Sequence, residues 1–180
     1  MNILVTRPSP AGEELVSRLR AQGKVAWSLP LIEFSPGREL SALPELLASL
    51  SPDDLLFALS QHAVSYAAAT LRQQHIAWPQ VQAFAIGRTT ALALHTASGL
   101  AVNYPRDREI SEVLLQLPEL QNVAGKHAVI LRGNGGRELI GETLAKRGVS
   151  VTFCECYQRT DKFYDGKDEA YRWQQRGVDT

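Results

Sequence analysis

Three arginines stand at the ends of short apolar runs. Arg7 follows Ile3-Leu4-Val5, Arg88 follows Phe84-Ala85-Ile86, and Arg132 follows Ala128-Val129-Ile130-Leu131. A fourth run, Leu55 to Leu59, leads into Ser60-Gln61-His62. Each run breaks into a turn of Ser, Thr, Gly or Arg and then continues with apolar residues at helical spacing, the pattern of strand, turn and helix. In an open α/β sheet such turns gather at the carboxyl ends of the strands, where helix N-termini offer unpaired N–H groups and partial positive charge. An anion is what they would hold. The guanidinium fork suits carboxylates in particular. The candidate binding residues are Arg7; Ser60, Gln61 and His62; Gly87, Arg88, Thr89 and Thr90; and Arg132, Gly133, Asn134 and Gly135.

The segment Leu131-Arg132-Gly133-Asn134-Gly135-Gly136-Arg137-Glu138 is the most informative. Glycine lacks the Cβ that would keep an oxyanion away from the backbone N–H groups. Glu138 stands where a dinucleotide fingerprint needs its third small residue, and no Gly-Lys-Ser/Thr follows, so this is neither that fingerprint nor a P-loop. The alternative is a tight turn with Arg137 in a surface ion pair. Capping alone would also account for Ser60, Thr89 and Thr90. No turn carries a carboxylate pair, a Cys/His pair or a metal-ligand cluster. The site reads as one that binds and orients, with no metal. Tyr157, just past the last strand, is the candidate for proton transfer, packing being its other reading. His75, His95 and His127 are expected to be solvated or packed.

The elements that must place these residues alternate along the chain. Residues 2–6 read as a strand, Ser9 as a helix cap with Pro10 at the first helical position, Leu15, Val16 and Leu19 as that helix's apolar stripe, and 25–29 as a second strand. Residues 30–37, bounded by prolines, read as an extended linker. A helix over 40–50, a strand at 55–59 and a helix buried through Ala63, Val64, Ala67, Ala68 and Leu71 come next. Strand 81–86, helix 88–97, strand 101–104, helix 109–117, strand 127–132, helix 136–147 and strand 149–155 follow in turn. This rhythm predicts a doubly wound parallel sheet. A short helix is expected around 167–175. Val178 reads as the start of a strand that does not continue, so the chain is expected to be C-terminally shortened. The β-α-β unit at 2–29 is too small to bury both its faces alone.

Composition excludes several function classes. Over 180 residues, 44% are hydrophobic and 21% charged, the balance of a globular protein with a core. Formal net charge is zero, which gives no bulk attraction to nucleic acid or anionic membranes. The apolar run at 55–59 is far short of the roughly 18–20 residues of a membrane span. The N-terminus lacks a secretory signal pattern. Cys154 and Cys156 are two apart on one strand face, poor geometry for a mutual disulfide and no zinc spacing, which points to reduced packing residues in a cytoplasmic protein.

Taken together, Leu4-Val5-Thr6-Arg7-Pro8, Phe57-Ala58-Leu59-Ser60-Gln61-His62-Ala63-Val64, Ala85-Ile86-Gly87-Arg88-Thr89-Thr90-Ala91, the glycine-rich turn and Tyr157-Gln158-Arg159-Thr160 resemble uroporphyrinogen-III synthases of the enteric-bacterial type. The likeness spans essentially the whole chain. It implies two doubly wound α/β domains joined by a two-stranded linker: 1–30 with 161–180 as a first, incomplete domain, 38–155 as a complete second one, and 31–37 with 156–160 as the connections. It implies closure of hydroxymethylbilane to uroporphyrinogen III with inversion of the last ring and loss of water, with no cofactor, in a monomer. The small-molecule substrate carries eight carboxylates, which suits turns rich in arginine and N–H groups, and holding one folded geometry is the harder task. Tyr157 matches the tyrosine that assists hydroxyl departure, Thr90 a cleft threonine, and Ser60 a contact. The readings from other classes are a non-catalytic anion- or nucleotide-binding module and an inactive shortened paralogue.

Overall fold

The computed structural model describes residues 1–180. Backbone contacts divide the chain into two units, Met1–Ser35 with Arg159–Thr180, and Pro36–Gln158.

In the first unit, strand β1 (Asn2–Val5), helix α1 (Ala11–Ala21) and strand β2 (Val25–Ser28) form one β-α-β, and the two strands pair in parallel. Val5, Val16 and Ala26 make its small core. Pro10 occupies the cap position and makes no side-chain cap bond. Ser9, expected as the cap, instead donates to Glu13 Oε1 at 2.6 Å. Alternate residues of β1 face away from β2: the Leu4 N–H donates to Thr180 O and the Thr180 N–H to Asn2 O. Residues 178–180 thus begin a strand-like pairing on the far side of β1. Helix α7 (Gly166–Gln175), capped by Asp165, sets Trp173 5.6 Å from Trp27. The Arg176 guanidinium lies over both rings, a cation–π stack.

The strands joining the units are β3 (Ile32–Pro36) and β8 (Ser150–Asp161). The Gly37 N–H donates to Cys156 O and the Lys162 N–H to Leu31 O, so residue numbers rise along one strand as they fall along the other and the pair is antiparallel. The two-stranded linker expected at 31–37 and 156–160 thus corresponds to β3 and the outer part of β8.

The second unit contains α2 (Leu43–Ala48), β4 (Leu55–Ala58), α3 (Gln61–Gln73), β5 (Gln82–Ala85), α4 (Arg88–Ser98), β6 (Val102–Asn103), α5 (Ser111–Leu114), β7 (His127–Gly133) and α6 (Leu139–Lys146). Its sheet has the order β3-β8-β7-β4-β5-β6, and from β8 to β6 all neighbours are parallel. Both faces are covered, as the strand alternation requires. Leu56, Ala58, Val129 and Leu131 pack with Ala63, Val64, Ala67 and Leu94 on one side. Leu55, Phe57, Ala128 and Ile130 pack with Leu114, Ile140 and Leu144 on the other. Three helices are shorter than their apolar spacing suggests: the one expected over 40–50 is α2, preceded by a 3-10 turn at Leu40–Ala42. The helix expected over 109–117 is α5 alone, followed by a 3-10 turn at Pro118–Leu120, and α6 starts at Leu139 because Gly136 turns left-handed, φ 114°. No helix is long and apolar enough to cross a membrane.

Asp54 ties the amino-terminal edge of this sheet together. Its carboxylate accepts the N–H of His127 at 2.8 Å and that of Ser51 at 2.8 Å. Burial works against the charge, yet the two N–H groups hold the carboxyl below its usual range. A depressed native value contributes stability that is fully present above the ordinary aspartate range, near 3.9, and is withdrawn as pH falls through the lowered one. Asp54→Asn keeps only one acceptor oxygen and is expected to cost about 1–2 kcal/mol at pH 7. Urea melts at pH 7 and pH 2.5 check this: the gap between variant and parent should close in acid.

Candidate functional site

The chain runs β4, β5, β6 outward in one direction and then returns to place β7 and β8 on the opposite side of β4. The order therefore reverses between β4 and β7, and a crevice opens outside the carboxyl ends of strands at such a reversal. A hollow of about 200 Å³ lies there, lined among others by Ser60, Ile86, Ser111, Arg132, Gly133 and Tyr157. Turns from four strands meet at it.

Tyr157 reaches this hollow through an irregularity. Along β7 and β8 the register runs Leu131 to Cys154 and Arg132 to Glu155, then slips so that Gly133 faces Tyr157. Two residues of β8 thus oppose one of β7, the mark of a β-bulge. Strict alternation would send Tyr157 to the face opposite Cys156, but both now pack against the same core, beneath α3. The ring lies over the glycine: a Cβ on Gly133 would come within 2.5 Å of Tyr157 Cζ. Above it, Tyr66 stacks at 6.1 Å and His62 tilts at 5.6 Å. His62 and Tyr66 are one helical turn apart and so share a face. The hydroxyl meets Ser60, whose Oγ donates to Tyr157 Oη at 3.2 Å while accepting the Ala63 N–H at 3.2 Å. Ser60 is at once the cap of α3 and a partner of Tyr157.

Arg132 is turned inward. Its side chain is 9% exposed. The guanidinium donates to Gly133 O, Gly135 O and Glu138 Oε1 at 3.2–3.3 Å and sits 4.7 Å from the centre of the Phe153 ring. It holds the glycine-rich turn in shape from beneath, leaving Asn134 and Gly135 exposed at its tip. Arg137 pairs with Glu112, and its guanidinium holds that carboxyl below the usual range.

At α4, Gly87 is the cap residue, and the Arg88 N–H is taken by Glu109 Oε1 at 3.0 Å. A carboxylate of the chain itself occupies the place that the turn offers an anion. Arg88 and Thr89 are exposed, whereas Thr90 is 6% exposed. Arg88 borders a separate hollow of about 500 Å³ with Tyr104, Pro105, Arg106 and Glu109. Gln61 and His62 are exposed on the first turn of α3. Arg7 is exposed after β1 in the first unit. The structure therefore brings Ser60, His62, Gly133 and Tyr157 together and sets Arg88 at a separate hollow.

Glu109, Ser111 and Tyr66 are not among the sequence candidates. Glu109 lies 21 residues from the N–H it meets, a separation at which spacing carries no signal. Tyr66 is legible in principle, four positions after His62. No group of three or more His, Cys, Asp or Glu is placed to hold a metal. Cys154 and Cys156 are buried with their Sγ atoms 3.8 Å apart. The hydrogen bond that Cys156 donates to Cys154, together with burial, pushes the Cys156 thiol far up.

The family model described as Uroporphyrinogen-III synthase HemD matches residues 13–180. The uroporphyrinogen-III synthase of Escherichia coli is 70% identical over 179 residues, covering 99% of this chain and 73% of that protein. That of Proteus mirabilis is 45% identical, covering 99% of this chain and 90% of the relative. Two crystal structures of uroporphyrinogen III synthase from the extreme thermophile Thermus thermophilus share the fold. One has a TM-score of 0.63 at 18% identity, covering 90% of this chain and 64% of its own; the other has a TM-score of 0.60 at 20% identity, covering 99% of this chain and 70% of its own.

Proposed function

The chain belongs to the uroporphyrinogen-III synthase family, and from that premise we propose that it closes linear hydroxymethylbilane to uroporphyrinogen III, a cyclising lyase of haem biosynthesis. Tyr157 is the proton donor to the departing hydroxyl. The N–H groups and side chains of Gln61, His62, Asn134, Gly135, Arg88 and Thr89 hold substrate carboxylates. The observation that carries this reading is Tyr157, fixed by Gly133, Tyr66 and Ser60 at the hollow where the strand order reverses. A phenol so placed supplies the one proton transfer that leaving of water requires, and the surrounding turns supply orientation. The protein acts as a cytoplasmic monomer. Supplying enzymatically made hydroxymethylbilane and separating the isomers tests the activity: type III is expected, and type I alone, the spontaneous product, would overturn it.

Glu109 enters this reading as a competitor. A substrate carboxylate seated on the Arg88 N–H must displace the carboxylate already there. Glu109→Ala is expected to lower KM about two- to fivefold, the worth of an exposed anion at a helix N-terminus, with kcat unchanged. Steady-state kinetics at low ionic strength check it, and a raised KM would place Glu109 among the groups that help binding.

A further inference from the structure

We propose that Ser60 is a positioning residue that sets the direction of the Tyr157 proton, an inference that rests on reading Tyr157 as the proton donor. Tyr157's ring is held by its neighbours. Gly133 lies beneath it, Tyr66 and His62 pack on it, and the β8 bulge fixes the backbone it hangs from. What this packing does not set is rotation of the hydroxyl about its C–O bond, because a hydroxyl hydrogen turns to suit its partners.

Ser60 sets it. A serine hydroxyl has one proton and two acceptor lone pairs. One lone pair takes the Ala63 N–H at 3.2 Å, and the proton goes to Tyr157 Oη, also at 3.2 Å. With the tyrosine accepting in this bond, its own proton is not shared with Ser60 and points away from it. The three groups form a polarised chain, from backbone N–H to Ser60 O–H to Tyr157 O–H, in which each bond strengthens the next. It starts at the N-terminus of a 13-residue helix, whose partial positive charge favours electron density drawn toward it. No atom or proton is exchanged along it; the chain only aims the proton and strengthens Tyr157 as a donor.

The test separates this role from capping. Glycine at a helix cap costs only a few tenths of a kcal/mol relative to serine, so Ser60→Gly removes the hydroxyl and leaves α3 nearly intact, which thermal melts verify. Ser60→Gly should lower kcat about 3- to 10-fold, the worth of one neutral hydrogen bond, with KM changed less than about twofold. Ser60→Thr, which keeps a hydroxyl, should recover most of that loss. In a Tyr157→Phe background Ser60→Gly should cost nothing further, because the group it acts through is gone. Equal losses in both backgrounds would overturn the proposal, leaving Ser60 as a cap or a direct substrate contact. A second measurement needs no turnover: with tyrosine labelled at ¹³Cζ, the resonance that disappears in Tyr157→Phe should move in Ser60→Gly and stay in Ser60→Thr. A resonance indifferent to both changes would also overturn it. If the unaltered chain gives type I product alone, the reading of the reaction fails, and the carbon resonance still reports separately on the Ser60 bond.

Discussion

Tyr157→Phe is expected to lower kcat by about 10²- to 10⁴-fold, the range of a positioned acid, with KM nearly unchanged. Phenylalanine keeps the ring that fits between Gly133, His62 and Tyr66 and loses only the oxygen that Ser60 holds. An interaction made only in the transition state lowers kcat and kcat/KM equally. Product analysis should follow the rate: as catalysis slows, bilane escapes and closes spontaneously, so the type I share rises. Single-turnover kinetics with isomer separation measure both. A loss within about threefold would rule out an essential proton transfer by this residue.

Gly133→Ala is expected to lower kcat about 10- to 100-fold while the melting temperature hardly moves. The new methyl would lie 2.5 Å from Tyr157 Cζ and 2.8 Å from its oxygen, closer than carbon atoms pack, so the ring must leave the glycine. A displacement near 1 Å at a reacting group can cost about 10²-fold. Tyr157 is only partly buried, so its shift opens no core cavity and little stability is lost. Gly135→Ala, two residues on, has nothing within 4 Å of the added carbon and serves as the control, with kcat retained. If both variants lose activity equally, backbone flexibility of the turn rather than room for the ring is what the glycines provide.

Much of this protein is legible as pattern. The alternation of Leu55 and Phe57 against Leu56 and Ala58 gives a strand buried on both faces, and the spacing of Ala63, Val64, Ala67 and Leu71 gives the helix that covers one of them. Strands and helices alternating in that way admit few sheets other than a doubly wound one, and that fold places Ser60, Gly87 and Arg132 at one edge. The same local rules mislead where two local signals compete. Ser9 has the chemistry of a cap, but its hydroxyl donates to Glu13. The spacing over 109–117 is helical, but the chain turns off after Leu114 and Pro118 opens a 3-10 turn.

The direction in which each site residue points comes from contacts that spacing does not encode. An arginine at a strand end can reach outward to a ligand or fold back, and Arg132 folds back because the turn it precedes offers two carbonyls and Glu138 within its reach. Thr90 sits on the face of α4 that packs into the unit, while Thr89 beside it is exposed.

From the sequence alone came the class of fold, the family, and the edge of the sheet at which Ser60, Gly87 and Arg132 gather, because all three follow from periodicities and motifs read within a few neighbouring residues. Tertiary structure alone decided that Tyr157 turns under α3, that Ser60 meets it across 97 residues and that Glu109 reaches Arg88 across 21. The first two depend on a strand register and on one bulge opposite Gly133. A single slip of register reverses every side chain beyond it, and no local pattern records where the slip falls.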